Sequence, residues 1–252
     1  ASLKAGGADH ATFREMLVFA QTEHPDAQIL IKTHPETRLG LREGHFTAQD
    51  ETSRVKLFDA AVSPWRLFEG ARAVYTVSSG LGFEAIFAGH KPRVFGQPFY
   101  AGWGLTQDER PVPRRTRQLT RAQIFAAAMI LYPTWYAPYE DRLCSLEEVI
   151  AGLAALARAW REDQRGWVAR GMRLWKRRAI SQFYGSFKAP VFEDNLQKAE
   201  EKAAALTRPR MAWASKPQAT GAQRVEDGFL RSKGLGAGLV PPLSLVIDDL
   251  GI

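Results

Sequence analysis

Residues 74–84, Val-Tyr-Thr-Val-Ser-Ser-Gly-Leu-Gly-Phe-Glu, set two hydroxyls and two glycines between a β-branched, aromatic run and an apolar helical pattern. A strand that ends in Ser78-Ser79-Gly80 and turns into a helix near Leu81 presents unpaired backbone N–H groups and the positive end of the helix dipole at the carboxyl edge of a sheet. Phosphate or carboxylate is what such an edge accepts. Glu84, one turn in, is placed to take hydrogen bonds from sugar hydroxyls. Ser is also an ordinary helix cap and Gly an ordinary turn residue, so this short signal has a purely structural reading as well. A second edge is delivered by residues 28–33, Gln-Ile-Leu-Ile-Lys-Thr, a short apolar run ending at His34-Pro35-Glu36. It reads as a buried parallel strand that brings Lys32 and His34 to its carboxyl end. The alternative for His34 is a structural histidine that closes the strand before Pro35, and lysines at strand ends are common.

The elements that must position these residues alternate. Residues 11–23 carry Phe13, Met16, Leu17 and Ala20 at helical spacing, with Thr12 as the expected cap. Strands are expected at residues 28–33, 55–58, 74–77 and 93–95, with short helices after Ser63-Pro64 and after Leu81. Strand and helix in turn predict a parallel sheet with helices on both faces, an α/β fold. Residues 108–118 are rich in proline and arginine and read as a loop. Helices follow at residues 120–131 and 145–160, the second with Glu148 at the capping-box position of Ser145. Residues 164–187 interleave Trp167, Met172, Trp175, Ile180 and Phe183 with Arg165, Arg170, Arg173, Lys176, Arg177 and Arg178, and read as a mostly helical, basic segment. Such a segment either lies on an anionic membrane surface or packs across a domain junction with its arginines in water. Residues 188–208 read as helix or linker. A new α/β pattern begins at Arg210, with strands near residues 211–214, 223–225 and 243–247. The expected domains are a donor-side α/β lobe over 1–118, a helical basic connector over 119–208, and the start of a second module over 209–252.

The 252 residues, 45% of them hydrophobic, are enough for a sizeable core. The single cysteine, Cys144, excludes an internal disulfide and a cysteine-based metal cluster, and no metal site is expected. No stretch approaches the roughly 20 apolar residues of a membrane span, and the first residues carry no signal-peptide core. A cytoplasmic location follows as the expectation, with peripheral attachment to the inner face of the inner membrane if the basic segment docks there. The net charge of +7 is concentrated: residues 110–190 hold 15 Lys and Arg against 6 Asp and Glu. That concentration favours a polyanion or is simply a solvated face. Nucleic acid is not expected, since no zinc spacing, helix-turn-helix pattern or RNA-binding aromatic motif accompanies the charge.

The longer run from Gly82, Gly-Phe-Glu-Ala followed by Phe95-Gly-Gln-Pro-Phe-Tyr-Ala-Gly-Trp-Gly-Leu-Thr106, resembles the capsule polysaccharide biosynthesis proteins of the KpsC/LipA type. Residues 226–232, Glu-Asp-Gly-Phe-Leu-Arg-Ser, with Gly234-Leu235-Gly236, Pro241-Pro242-Leu243 and residues 248–252, resemble the opening of a transferase module in the same family. The first set belongs near a module's end and the second near a module's beginning, so the chain is expected to straddle two modules. The resemblance implies a GT-B-like architecture and a retaining glycosyltransferase that moves β-Kdo, an acidic eight-carbon sugar, from CMP-Kdo to the lipid anchor of capsular polysaccharide. No cofactor beyond that donor is implied. Its partners would be the nucleotide-sugar donor and a lipid-linked saccharide acceptor. Under the resemblance Lys32 and His34 flank the donor's phosphate or carboxylate, Ser78, Ser79, Gly80 and Gly82 bind it through hydroxyls and N–H groups, and Glu84 takes a hydroxyl. Glu226 and Asp227 are the catalytic candidates, because transfer of a ketosidic sugar needs a carboxylate as base or nucleophile. Their structural alternative is a strand-end turn at Asp227-Gly228. Two other functions share these features: a polysaccharide-binding export scaffold without catalysis, and a nucleotide-sugar epimerase.

Overall fold

The computed structural model describes residues 8–215, 221–230, 238 and 240–249. Contacts divide the chain into two compact units, Ala1–Thr134 and Trp135–Ile252.

In the first unit, helix α1 (His10–Glu23) starts at Asp9. The expected cap, Thr12, is instead the third helical residue: its N–H donates to the Asp9 carboxylate at 2.9 Å and its hydroxyl oxygen accepts from the Asp9 N–H at 3.2 Å. Asp, with two acceptor oxygens, takes the capping position and Thr completes the reciprocal box. Strand β1 (Ile29–Lys32) runs parallel to β2 (Val55–Phe58), with Lys32 opposite Phe58. Helices α2 (Pro35–Arg38) and α3 (Pro64–Gly70) each begin with proline at the first helical position. Strands β3 (Tyr75–Thr76), β4 (Arg93–Val94) and β5 (Gln107–Asp108) form a second parallel sheet, with helix α4 (Leu81–Phe87) between the first two. Five short parallel strands in two sheets thus stand where the alternation predicts one sheet, and the last of them begins the stretch expected to be loop. Apolar side chains of α1, among them Phe13, Met16 and Phe19, pack on Val77 and Phe95. A separate cluster joins Ile86, Val94, Tyr100 and Ala101 to Ile124 of helix α5 (Arg121–Phe125), which continues into a π-helical turn over Ala126–Leu131.

The second unit opens with an antiparallel hairpin, β6 (Trp135–Ala137) and β7 (Arg142–Cys144), turned at Asp141 with φ 51°. Helix α6 (Leu146–Asp163) follows, capped by Ser145 with Glu148 closing the box as expected. Residues 164–187 then depart from the helical reading. Strand β8 (Val168–Arg170) lies between Gly166 and Gly171, both at φ 71°, and only then does helix α7 (Leu174–Tyr184) begin. Left-handed glycines on both sides break the helical run, and the period of the apolar residues alone does not reveal it. Strand β9 (Val191–Phe192), helix α8 (Leu196–Leu206), β10 (Arg210–Trp213), β11 (Ala222–Asp227) and β12 (Leu245–Asp248) complete the unit. The sheet order is β12-β11-β10-β8-β9, parallel throughout except for β12. One sheet therefore takes two strands from residues expected to form a helical connector and three from residues expected to open a new module. Its core is Trp167, Ala169, Met172, Ile180, Tyr184, Met211 and Val225.

Candidate functional site

The turn after β3 is exposed at Ser79 and Gly80, half-buried at Ser78 and Glu84, and buried at Gly82. Its polar groups are largely engaged within the chain. Ser79 N–H donates to the Thr76 hydroxyl (3.3 Å), the Ser79 hydroxyl accepts from Leu81 N–H (3.2 Å), and the Ser79 carbonyl accepts from Gly82 N–H (3.2 Å). Phe83 and Glu84 N–H both reach the Gly80 carbonyl. Of the N–H groups expected to meet an anion, those of Ser79 and Gly82 are thus engaged within the chain, as are those of Leu81, Phe83 and Glu84 beside them. Gly80 itself has φ −58° and ψ −22°, an ordinary right-handed conformation.

Tyr100 is what holds this turn. It has no exposed surface, and its hydroxyl donates to the Ser79 carbonyl at 2.6 Å. A Cβ on Gly82 would overlap the Tyr100 ring and hydroxyl, so Gly82 is required for packing. Burial pushes the Tyr100 phenol up to about 12, with the Asp108 carboxylate adding in the same direction. The glycine-rich loop behind it is folded on itself. Gly102 and Gly104 adopt φ 81° and 84°, Gly102 N–H and the Thr106 hydroxyl both donate to Asp108, and Arg115 donates to the carbonyls of Pro98 and Ala101. Trp103 donates from its indole to the Phe99 carbonyl. Sequence reasoning reads Tyr100 as part of an aromatic loop beside the turn and not as its support, and it passes over Asp108 and Arg115. The closing of a Gly-Trp-Gly loop by a downstream acid and a downstream arginine leaves no periodic signal.

Lys32 does stand at the carboxyl end of β1, half-buried, its ammonium donating to the carbonyls of Thr33 (3.3 Å) and Ala60 (3.4 Å). His34 is exposed and caps α2, its Nδ1 accepting from Glu36 N–H at 3.2 Å. Among the described residues neither side chain bonds to any group of the Ser78–Glu84 turn.

The acidic pair lies in the second unit, at the carboxyl end of β11. Glu226 pairs with Val246 and Asp227 with Leu245. Consecutive strand residues point to opposite faces, so the two carboxylates do not converge on one ligand. Asp227 is the one that lines a cavity of about 280 Å³, together with Trp213 at the end of β10 and one face of α7. Gly228 continues the ladder, donating its N–H to the Ser244 carbonyl at 3.0 Å, and has no room for a side chain against Ser244. Asp227-Gly228 is therefore a strand extension, not the tight turn of the alternative reading. Arg231, Ser232, Gly234, Leu235 and Gly236 lie outside the described residues. Among the described residues no group of three His, Cys, Asp or Glu is arranged to hold a metal ion, and no helix is long and apolar enough to cross a membrane.

A family model described as capsule polysaccharide biosynthesis protein matches residues 1–135. The capsule polysaccharide modification protein LipA of Neisseria meningitidis serogroup B is 35% identical over 267 residues, an alignment covering 100% of this chain and 38% of LipA. The lipopolysaccharide-processing protein LpsZ of Rhizobium meliloti is 36% identical over 154 residues, 61% of this chain and 35% of LpsZ. The chain thus spans well under half the length of the curated relatives it matches. Among solved structures, KpsC of Thermosulfurimonas dismutans, a β-Kdo 2,4 transferase, superposes with a TM-score of 0.57 at 39% identity, covering 60% of this chain and 47% of that one.

Proposed function

Because the chain belongs to the KpsC/LipA family of capsule polysaccharide biosynthesis proteins, we propose that it is part of a glycosyltransferase that moves β-Kdo from CMP-Kdo to the lipid anchor of a bacterial capsular polysaccharide. The observation that carries this reading is the 39% identity to a β-Kdo 2,4 transferase, over 60% of the chain.

In this reading the first unit is the donor-side lobe of a GT-B-like enzyme. The exposed Ser79 and Gly80, with Ser78 beside them, meet the anionic part of the donor, and Glu84 takes a sugar hydroxyl. Gly82 and Tyr100 act on the donor only through the turn they hold in shape. Lys32 supplies positive charge at its own strand end, where it balances a donor that carries a phosphate and a carboxylate. His34 sets the start of α2. In the second unit Asp227, facing a cavity, takes the base or nucleophile role of that unit's own module, for which Glu226 faces the wrong way, and it does not complete the donor site of the first unit. Peripheral attachment to the inner membrane is part of the same proposal. It would rest on Leu174, Phe183 and Phe187, which are exposed, since Trp167, Met172 and Ile180 of the basic segment are core. Co-sedimentation with anionic against neutral liposomes tests that part, and equal partitioning would remove it.

The decisive experiment incubates the longer protein that contains this stretch with CMP-Kdo and a lipid-linked acceptor. An extended acceptor is the expected product. Release of a free, altered sugar would identify an epimerase instead, and no turnover with retained polysaccharide binding would identify an export scaffold.

A further inference from the structure

Helix α6 is held only at its ends. Leu146 and Asp163 are its buried residues, and between them no residue is buried, although the helix runs for 18 residues. Helices α7 and α8, by contrast, each press residues into a core cluster of the second unit, Ile180 and Tyr184 from the first, Ala199 and Ala203 from the second. The exposed part of α6 is not polar all round. Val149, Ile150, Leu153, Leu156 and Trp160 recur at three- and four-residue spacing and form one stripe, and the last four are between 44% and 60% exposed. A helix of this kind takes its stability in water from whatever covers its apolar face. A second feature points outward as well. Gly152 borders the stripe one turn before Leu156, and a Cβ there would meet nothing within 4 Å. No neighbour within the chain therefore asks for glycine at this mid-helix position, where it is less favourable than alanine.

The charges beside the stripe indicate what covers it. Glu147, Arg158 and Arg161 lie on one flank, the arginines about three and four turns after the acid, and all three are exposed. Glu148 is taken up by Arg142, whereas none of these three has an ion-pair partner among the described residues. A parallel partner helix of the same sequence would set acid beside acid and arginine beside arginine. An antiparallel copy sets Glu147 of each chain beside Arg158 and Arg161 of the other, once at each end, with Leu153 of both chains near the two-fold axis. An anionic membrane fits this helix less well, because Glu147, Glu148, Glu162 and Asp163 outnumber its two arginines. We propose that the exposed stripe of α6 is an isologous interface, covered by α6 of a second copy of this chain in antiparallel orientation. Nothing in this pairing depends on the reaction that the protein carries out.

Sedimentation equilibrium of the 252-residue chain over a range of concentrations tests it, with the longer protein measured alongside. One helix stripe is a small interface, so a monomer–dimer equilibrium with a Kd of about 10–100 µM is expected for both. Leu153→Glu, which places a good helix former at an exposed position, should weaken the dimer by about a hundredfold and leave the unfolding midpoint where it was. Glu147→Lys should weaken it by about tenfold, and Glu147→Lys combined with Arg161→Glu should restore it, because exchanging both signs re-forms the antiparallel pairs. A chain that stays monomeric throughout the range, a dimer indifferent to Leu153→Glu, or a charge exchange that fails to restore association would each overturn the proposal. So would a dimeric 252-residue chain beside a monomeric longer protein, which would assign the stripe to a part of that protein outside these residues. Liposome binding by a monomeric chain that is lost in Leu153→Glu would assign it to a membrane instead.

Discussion

The two units solve the same topological problem in opposite ways. In both, parallel strands end at an edge and a helix begins beside them. In the first, Tyr100 fills the space behind the edge completely, its ring against Gly82 and its hydroxyl on the Ser79 carbonyl. In the second, the space between α7 and the ends of β10 and β11 remains a cavity of about 280 Å³. The richest motif in the chain, a glycine and aromatic loop of the kind associated with ligand contact, is mostly internal scaffolding. The open cavity is lined by Trp175, Lys176, Trp213 and Asp227 among others, whose spacing in the sequence forms no motif. A glycine-rich motif therefore reports close approach without saying whether the neighbour is a ligand or another part of the chain.

The strongest way to break the comparison is to empty the filled edge. Tyr100→Ala removes a fully buried ring and the bond that shapes the Ser78–Gly80 turn, and should destabilise the first unit by about 3–5 kcal/mol, the range for deletion of a buried aromatic. Calorimetric or denaturant unfolding reads this directly. A loss under about 1 kcal/mol would mean that the turn does not depend on Tyr100. The same residue gives a pH signature. Its phenol is raised from 10.0 to about 12 in the folded chain, so the folded state resists losing a proton that the unfolded state gives up. Its contribution is full below pH 10 and is lost as pH rises toward 12, amounting to roughly 2–3 kcal/mol at the top of that window. Tyr100→Phe should flatten this part of the stability profile, and an unchanged alkaline limb would assign it elsewhere, Tyr184 being the other buried phenol raised by its surroundings.

How much of this was legible in the sequence depends on the range of the interactions involved. Local signals carried through: the capping box at Ser145 and Glu148, the proline start of α3, and the short strands at Tyr75 and Arg93 are all where residue type and neighbour dictate them, while helix α2 at Pro35 is not expected from the sequence. Lys32 and the Ser78–Gly80 turn likewise stand at or just after the ends of β1 and β3. What failed was pattern without context. Residues 164–187 have a helical period, yet Trp167 and Ala169 sit in a sheet core because two left-handed glycines redirect the chain. The pair Glu226 and Asp227 reads as one acidic motif, and strand geometry splits it between two faces. The cavity residues Lys176, Trp213 and Asp227 come from three elements, and only the parallel pairing of β10 with β11 brings the last two to one edge.

A smaller effect sharpens the comparison from the second unit. There the buried polar pair is an indole and a carboxylate: Trp167 donates to Asp163 at 2.6 Å, and Asp163 is 4% exposed. Burial raises the Asp163 carboxyl, opposed by the Trp167 bond. Trp167→Phe keeps most of the ring and leaves the acid without its indole donor, which should reduce stability by about 1–3 kcal/mol. Asp163→Asn in that background should recover part of the loss, since an amide is less costly to bury than a carboxylate. No recovery in the double variant would show that the loss comes from packing alone.

The smallest effect on stability is expected where the effect on binding is the point. Gly80 is exposed, has right-handed backbone angles, and a Cβ built there meets nothing within 4 Å. Restriction of φ is therefore not a reason for glycine at this position, as it would be if the turn required a left-handed residue. Alanine fits the same conformation and restricts the unfolded chain, so Gly80→Ala should leave the fold unchanged or stabilise it by about 0.4–1 kcal/mol. What a methyl group changes is the approach of an outside molecule to the turn, because it stands where the anionic part of the donor is proposed to lie. Calorimetry with CMP on the longer protein should then show affinity reduced by about tenfold, equivalent to ~1.4 kcal/mol, with the unfolding midpoint held or raised. Gly82→Ala would produce the reverse pattern, a folding defect from overlap with Tyr100, and cannot substitute for this test. Donor affinity unmoved by Gly80→Ala would remove the first edge from the donor's binding surface and leave it filled by Tyr100 from within and covered by no ligand from without.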